Sequence, residues 1–202
     1  MARPDIGARE RELVNSVLDS DVLALGPLAV EFEERLATIA GRRFGISCSS
    51  GTAGLHMIVR SLGIGEGDEV ITTPFSFVAS ANCLLYERAA PRFVDIEPDS
   101  LGLDPAAVAA AAGPDTAGIL AVHVFGRPCR IGELADMADE RGWPLIEDAC
   151  EALGSSAAGR PMGSFGSASV FAFYPNKQVT TGEGGMVVTD DPDMAEDLRS
   201  LR

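Results

Sequence analysis

One lysine, Lys177, stands between an apolar stretch and a glycine-rich turn in SVFAFYPNKQVTTGEGG, residues 169–185. An amine held at the mouth of a parallel sheet can lose its charge through desolvation and attack a carbonyl carbon, which is the chemistry of a Schiff-base lysine. A lysine taken alone is more often a solvated surface residue. The chemical interpretation therefore depends on the residues that accompany it.

A loop of small residues, CSSGTA at residues 48–53, opens a predicted helix. The free backbone N–H groups at such a helix start and the helix dipole favour a phosphate. The alternative is an ordinary N-cap by Ser50 or Thr52, because many helices begin this way and bind no ligand. An anion site here is a hypothesis that needs support from other segments.

Two aromatic residues, Phe75 and Phe77, follow the predicted second strand in the run TTPFSF. One of these rings can stack on a planar heterocycle at that edge of a sheet. The alternative is a place in the core, which is the default for phenylalanine.

Two acidic residues, Glu147 and Asp148, follow the strand-like run WPLI. A carboxylate at a strand end can hold a heteroaromatic nitrogen protonated, which a cofactor pyridine requires to act as an electron sink. The alternatives are a helix N-cap and a structural salt bridge. His123, at another strand end, is expected to line the same pocket, whereas His56 is expected to pack on its helix. The two histidines do not form a metal-ligand pair, and no metal site is predicted.

Apolar, β-rich runs alternate with segments of helical period, which predicts one α/β domain with a mainly parallel sheet. The strand runs are nearly continuous in apolar residues, so burial on both faces is expected. In open α/β sheets, ligands bind outside the carboxyl ends of the strands, where the residues described above are expected to meet. The predicted strands are 44–48, 69–73, 92–96, 119–124, 144–146, 167–173 and 186–189, and the predicted helices are 53–62, 77–86, 105–112, 131–141 and 192–202.

Composition limits the classes of protein and partner. The 202 residues are 46% hydrophobic, which indicates a globular chain, and 16 basic against 30 acidic residues give a net charge of -14. This charge disfavours nucleic acid and anionic membranes as partners. The four cysteines form no CxxC pair, so reduced, mostly buried thiols are expected. The amino terminus has no signal-peptide apolar core, and a cytoplasmic location is expected.

Five segments, taken in order, resemble the DegT/DnrJ/EryC1/StrS family of sugar aminotransferases, which are pyridoxal-phosphate enzymes of the aspartate-aminotransferase fold. They are SSGTAGL, TTPFSFVASAN, HVFG, IEDACEALGS and FAFYPNKQVTTGEGG. The resemblance runs from about residue 5 to the end. It implies a three-layer α/β/α large domain at residues 1–202, with a mainly parallel mixed sheet and an N-terminal helical arm at about 1–25.

The resemblance also assigns roles to individual residues. Lys177 would form the internal aldimine, Asp148 would pair with the pyridine nitrogen, and Phe77 would stack on the ring. The phosphate would be bound by Gly51 with Thr52. The cofactor-binding positions that it implies are Ser50, Gly51, Thr52, Phe77, Asp148, Glu151 and Lys177.

The implied reaction moves an amino group, typically from glutamate, to a keto group of a nucleotide-linked sugar or a cyclitol. Relatives that dehydrate deoxysugars have histidine in place of Lys177, so the lysine favours transamination. The resemblance further implies a homodimer, or a partner chain, whose second subunit completes the site.

Three departures from the family pattern bear on these expectations. Ala172 stands where the family usually has a serine that helps to hold the phosphate, so weaker cofactor retention is predicted. Glu151 occupies a place often filled by glutamine or histidine, which bears on the choice of substrate. Family members are about twice this length, and their C-terminal small domain is expected to be missing from this chain. The alternatives are a non-catalytic partner that supports a full-length homologue and a plain α/β fold with an unrelated anion site.

Overall fold

Seven strands form one sheet in the computed structural model, which describes residues 4–202. A separate pair of short strands, β6 (Ser156–Ala157) and β7 (Arg160–Pro161), forms a small hairpin. In chain order the elements are α1 (Ala8–Leu18), α2 (Pro27–Ile39), β1 (Phe44–Cys48), α3 (Gly51–Ser61), β2 (Glu69–Thr72), α4 (Ala79–Tyr86), β3 (Ala90–Phe93), α5 (Pro105–Ala111), β4 (Thr116–Val122), a 3-10 turn (Val124–Gly126), α6 (Ile131–Arg141), β5 (Leu145–Asp148), β6 (Ser156–Ala157), β7 (Arg160–Pro161), β8 (Ala168–Ala172), β9 (Gly185–Thr189) and α7 (Pro192–Leu201).

The order of strands across the sheet is β1-β9-β8-β5-β4-β2-β3. Strand β9 is antiparallel to both of its neighbours, β1 and β8, whereas the remaining neighbours pair in parallel. The segments that follow β2, β4, β5 and β8 therefore leave the sheet at one edge. The predicted α/β class with a mainly parallel, mixed sheet is confirmed.

Helices cover both faces of the sheet, and each face has its own apolar core. One core includes Leu55 of α3, Leu84 of α4 and Leu198 of α7. The other includes Leu36 of α2 and Leu134 of α6. Each of these leucines is almost fully buried. This arrangement is the three-layer architecture that the resemblance implies.

Helix α3 carries the small-residue loop to the edge of the sheet. It begins at Ser50, whose Oγ accepts a hydrogen bond from the Ala53 N–H at 3.1 Å, as an N-cap residue does. Its buried positions 51, 54, 55 and 58 recur at helical spacing, so that one face packs on the sheet. The helix is followed by Gly63 at φ +70, a backbone conformation that favours glycine.

The predicted boundaries of two central strands are wrong. Strand β5 includes Glu147 and Asp148, which the sequence placed after the strand, because both continue the parallel pairing with Ala121 and Val122 of β4. Strand β4 ends at Val122, two residues before the predicted end, because the chain then enters the 3-10 turn.

Three other regions differ from expectation: one edge of the sheet, the segment before β1, and the segment between β5 and β8. Strand β3 lies at 90–93 instead of 92–96, and three of its four residues are exposed, because it is an edge strand. Burial on both faces therefore fails there. Helix α2 and the β6–β7 hairpin are additions to the predicted elements.

The predicted arm contains helix α1, which has no buried residue. Its apolar side chains Leu13, Val14 and Leu18 are all exposed. The first three residues of the arm lie outside the described residues. Within residues 4–202, none of the helices combines the length and the apolar character that crossing a membrane requires.

Candidate active site

A cavity of about 790 Å³ opens at the edge of the sheet where the parallel strands end. It borders the N-terminus of α3 and the segments after β2, β4, β5 and β8. All seven cofactor-binding positions predicted from the sequence line it: Ser50, Gly51, Thr52, Phe77, Asp148, Glu151 and Lys177.

Asp148, the last residue of β5, is hydrogen-bonded to protein donors and also lines the cavity. Its Oδ2 atom accepts a hydrogen bond from Ser80 Oγ at 2.7 Å, and its Oδ1 atom lies 3.2 Å from the donating N–H of Cys150. Ser80 is in turn 2.6 Å from Ser76 Oγ. Because an ionised carboxylate has about four acceptor positions, Asp148 keeps acceptor capacity toward the cavity that it lines.

Ser80 is a residue that the sequence analysis missed. It lies on α4, fully inside the protein, within the segment TTPFSFVASAN. Ser76, which lies in the bend before α4, contacts Ser80 through their hydroxyl groups, and no helical spacing in the sequence marks this pair. The partner of Ser80 on β5 is 68 positions away and follows from the tertiary fold alone.

Lys177 reaches the same cavity from the segment after β8. Its Nζ atom lies 3.2 Å from Glu151 Oε1, and its side chain is 17% exposed. Lys177 is also the only lysine in the 202-residue sequence. The interpretation as a solvated surface lysine is therefore wrong for this structure.

The start of α3 forms a close-packed cradle of backbone donors. A Cβ atom added at Gly51 would lie 2.8 Å from both Ala172 Cβ and Cys150 Sγ, so a side chain does not fit there. The Ala53 N–H is taken by Ser50, whereas the Gly51 and Thr52 amides belong to the first turn, which has no intrahelical acceptors. Both residues line the cavity, where their N–H groups can meet an anion.

Phe77 lies at the mouth of the cavity and is 75% exposed, so its placement in the core is wrong. Phe75 is less exposed, and its ring meets that of Phe125 edge to face with 6.2 Å between centroids. An exposed aromatic face at a cavity mouth can stack on a planar ligand.

His123 contributes to the cavity wall, and its imidazole is fully buried. Its Nε2 atom is 3.2 Å from Glu147 Oε2, and its Nδ1 atom is 3.3 Å from the donating N–H of Cys129. The expectation that His123 lines the pocket holds for the wall, whereas its ring belongs to a separate network. His56 does not simply pack on its helix, because its Nε2 atom lies 2.6 Å from Glu87 Oε1.

Glu147, beside Asp148 in sequence, is at the centre of that buried network. Its Oε1 atom accepts hydrogen bonds from the backbone N–H groups of Phe165 and Gly166 and from Ser169 Oγ, and its Oε2 atom accepts one from the Gly163 N–H. Burial alone would raise the pKa of this carboxyl, but hydrogen bonds from His123 and these amides hold it well below its ordinary value. Glu147 is therefore an ionised structural residue, as the structural alternative for the two acids predicted. Asp148 does not follow that alternative, because it lines the cavity.

Arg42 completes the network from the opposite side. Its Nε atom donates to the Gly163 carbonyl at 2.7 Å, and its guanidinium also bonds the Gly166 carbonyl and lies 3.8 Å from Glu147. The segment 163–166 is thus bound through its carbonyls by Arg42 and through its amides by Glu147.

All four cysteines are free thiols, as expected from the sequence. Burial, together with the adjacent Asp148 carboxylate, raises the pKa of the Cys150 thiol well above its ordinary value. Burial likewise raises the pKa of Cys48 to about 11. The thiols near the cavity are therefore neutral. The part of the chain that the structure describes has no group of three or more histidine, cysteine or acidic residues placed to hold a metal ion.

Comparison with known proteins gives consistent matches along the whole described chain. Residues 4–202 match the sequence model of the DegT/DnrJ/EryC1/StrS aminotransferase family. A protein of Methanocaldococcus jannaschii, MJ1066, described as uncharacterized, is 40% identical over 200 residues, which are 99% of this chain and 52% of that protein.

Solved structures give the same picture. The structure of DesI in the presence of its TDP-sugar product is 41% identical with a TM-score of 0.89, and the match covers 98% of this chain and 50% of DesI. The structure of S. venezuelae DesV in complex with a ketimine intermediate is 37% identical with a TM-score of 0.92, and covers 100% of this chain and 57% of DesV. The chain therefore spans about half the length of the proteins that it matches.

Proposed function

The chain belongs to the DegT/DnrJ/EryC1/StrS aminotransferase family, and we propose on that basis that it is the cofactor-binding large domain of a pyridoxal-phosphate-dependent aminotransferase. The observation that carries the proposal is the presence of the Lys177 amine, the Asp148 carboxylate and the Gly51 and Thr52 amides around one cavity. In this proposal the large domain occupies residues 1–202, with the arm at about residues 1–25.

The residues at the cavity fit the chemical groups of pyridoxal phosphate. Its phosphate requires backbone donors, and the Gly51 and Thr52 N–H groups in the first turn of α3, which line the cavity, meet that requirement. Its ring nitrogen requires a carboxylate partner, which Asp148 provides, and its aldehyde requires an amine, which Lys177 provides. When bound, the cofactor supplies an electrophilic aldehyde carbon and an electron-withdrawing pyridine ring.

Each residue has a distinct part in this proposal. Asp148 Oδ1 and Oδ2, oriented by Cys150 and Ser80, hold a proton on the ring nitrogen. Lys177 Nζ would be the amine that holds the aldehyde, and it would move a proton at the substrate carbon. Phe77 covers the ring at the cavity mouth. Ser50 fixes the start of α3, and Glu151 lies against Lys177.

The proposed substrate is a keto group on a nucleotide-linked sugar or a cyclitol, with glutamate as the amino donor. The TDP-sugar product in the DesI structure supports the nucleotide-linked sugar. Incubation with glutamate and a panel of keto-sugars is expected to yield 2-oxoglutarate, detected by mass spectrometry. If the domain alone does not turn over, the same assay on the chain joined to a small domain tests the substrate, and a lack of product there contradicts the substrate class.

Cofactor binding has a more direct test. Protein mixed with pyridoxal phosphate is expected to absorb visible light, to bleach with borohydride, and to carry the reduced cofactor on the peptide containing Lys177. Lys177→Ala is expected to abolish all three. Labelling at another position contradicts the assignment of Lys177.

A second candidate function is that of a non-catalytic partner chain. It is favoured by the exposed apolar side chains of α1, which suit contact with another subunit, either a second copy or a full-length homologue. Colourless protein that binds such a homologue supports this candidate, and coloured protein that dimerises supports the enzyme. A cytoplasmic location remains a prediction.

A further inference from the structure

The carboxylate of Glu151 joins two segments at the mouth of the cavity. Its Oε1 atom lies 3.2 Å from Lys177 Nζ, and its Oε2 atom accepts a hydrogen bond from the Phe125 N–H at 2.8 Å. One side chain therefore contacts both the amine of the candidate site and the turn that borders it.

That turn, Val124–Gly126, has an unfavourable backbone conformation. Phe125 has φ 55 and is followed by Gly126 at φ 77, and the left-handed region is costly for a bulky side chain. Besides the bond to Glu151, Ser155 Oγ donates to the Gly126 carbonyl at 2.7 Å. Such a conformation persists only where neighbouring segments hold it.

The turn also sets one wall of the cavity mouth. The side chain of Phe125 is largely exposed, lines the cavity, and meets Phe75 edge to face. A change in the backbone of the turn therefore moves an aromatic ring at the entrance.

We propose that Glu151 is a positioning residue that couples the ammonium group of Lys177 to the conformation of the Val124–Gly126 turn. With the ammonium present, each carboxylate oxygen has its own donor. Without it, Oε1 loses its ion pair in a partly buried position, the carboxylate moves toward water, and the Phe125 N–H loses its acceptor. The inference rests on the proposed function only in treating Lys177 as the functional amine.

Glu151 is the carboxylate within ion-pair distance of Lys177 among residues 4–202. Asp148 receives its hydrogen bonds from Ser80 and Cys150, and the Cys150 thiol is neutral. The other titratable groups that line the cavity are Tyr174, Glu183 and His123. The ring of His123 is hydrogen-bonded to Glu147.

The ion pair is tested by the reactivity of Lys177 in cofactor-free protein. Acylation by a neutral reagent can be read at a single side chain by peptide mass spectrometry, because the sequence has no other lysine. The contact with Glu151 holds Lys177 Nζ and restricts its approach to a reagent, so Glu151→Gln is expected to raise the acylation rate about twofold to fivefold. Glu133→Gln, which removes an exposed carboxylate paired with Arg130, is the matched control and is expected to leave the rate unchanged.

The coupling is tested by amide hydrogen exchange at Phe125, measured by NMR. Lys177→Met removes the ammonium and keeps an unbranched side chain, and is expected to speed exchange at Phe125 about fivefold or more. Exchange at Ile146 in the buried strand β5 serves as the control for folding and is expected to stay constant.

Exchange at Phe125 that is unchanged in Lys177→Met, or acylation that is unchanged in Glu151→Gln, overturns the proposal. Neither measurement uses cofactor or turnover. Failure here is therefore distinct from failure of the proposed function, which is shown by protein that does not take up pyridoxal phosphate.

Discussion

Glu147 and Asp148 are adjacent carboxylates on β5, yet they belong to opposite faces of the sheet and to two different environments. Behind the strand, Glu147 is fully buried and surrounded by protein donors on both oxygens. In front of it, Asp148 receives one bond on each oxygen and lines the cavity. The difference shows that saturation with internal hydrogen bonds, and not acidity or burial alone, separates a structural carboxylate from one available to a ligand.

The largest expected effect comes from breaking the rear network. Glu147→Gln places an amide NH₂ group against backbone N–H donors and removes the buried carboxylate beside Arg42, which keeps only its ion pair with the exposed Asp190. We expect the free energy of unfolding to fall by about 3–5 kcal/mol, measured by urea denaturation. The control Glu133→Gln, at an exposed pair, is expected to change it by less than about 0.5 kcal/mol. A similarly small change for Glu147→Gln would show that the network contributes little to stability.

The corresponding change in front of the strand is expected to affect the ligand instead of the fold. Asp148→Asn keeps a similar shape but removes the charge that would hold the ring nitrogen protonated. We expect pyridoxal phosphate to bind about 100-fold more weakly by fluorescence titration, since a charged hydrogen bond contributes about 1.5–3 kcal/mol. The free energy of unfolding is expected to change by less than about 1 kcal/mol. A large loss of stability here would remove the distinction between the two carboxylates.

The rear network also predicts how stability depends on pH. Because the pKa of Glu147 is lowered in the folded protein, its contribution is complete above the unfolded pKa of about 4.3 and is lost as the pH falls toward the folded value. One such group steepens the fall of the unfolding free energy below about pH 5 by at most about 1.4 kcal/mol per pH unit. The unfolding free energy, measured by urea denaturation at several pH values between about 3 and 6, should therefore depend more steeply on pH in the wild type than in Glu147→Gln. The control Glu133→Gln should show the pH dependence of the wild type.

The smallest expected effect concerns the anion cradle. Ala172 lies against Gly51, so Ala172→Ser introduces a hydroxyl donor beside the proposed phosphate position. We expect pyridoxal phosphate to bind about threefold to tenfold more tightly, as one additional hydrogen bond allows. Ala109→Ser, on the exposed side of α5, is the control. Tight binding by wild type that the serine leaves unchanged would contradict the prediction of weak cofactor retention.

Local patterns in the sequence predicted much of the fold and the cavity lining. The alternation of apolar strands and helices predicted the α/β class, since periodicity reflects burial directly. The rule that ligands bind at strand ends predicted that Gly51, Asp148 and Lys177 meet at one edge of the sheet, and all three line the cavity there. Their chemical roles remain proposals.

Features that depend on contacts between residues far apart along the chain could not be predicted from the sequence. The extension of β5 through Glu147 and Asp148 depends on pairing with β4, and the exposure of β3 depends on its place at the sheet edge. The orientation of His123 depends on Glu147, 24 positions away. Long-range hydrogen bonds of this kind leave no periodic signal in the chain.

Two aromatic side chains at the cavity mouth take no part in the packing that stabilises the sheet. Phe77 and Phe125 are largely exposed, and neither side chain belongs to either apolar core. An exchange of either ring is therefore expected to change the shape of the entrance while both apolar cores stay intact. The cavity mouth can therefore vary in shape, whereas the sheet and its two apolar cores remain constant.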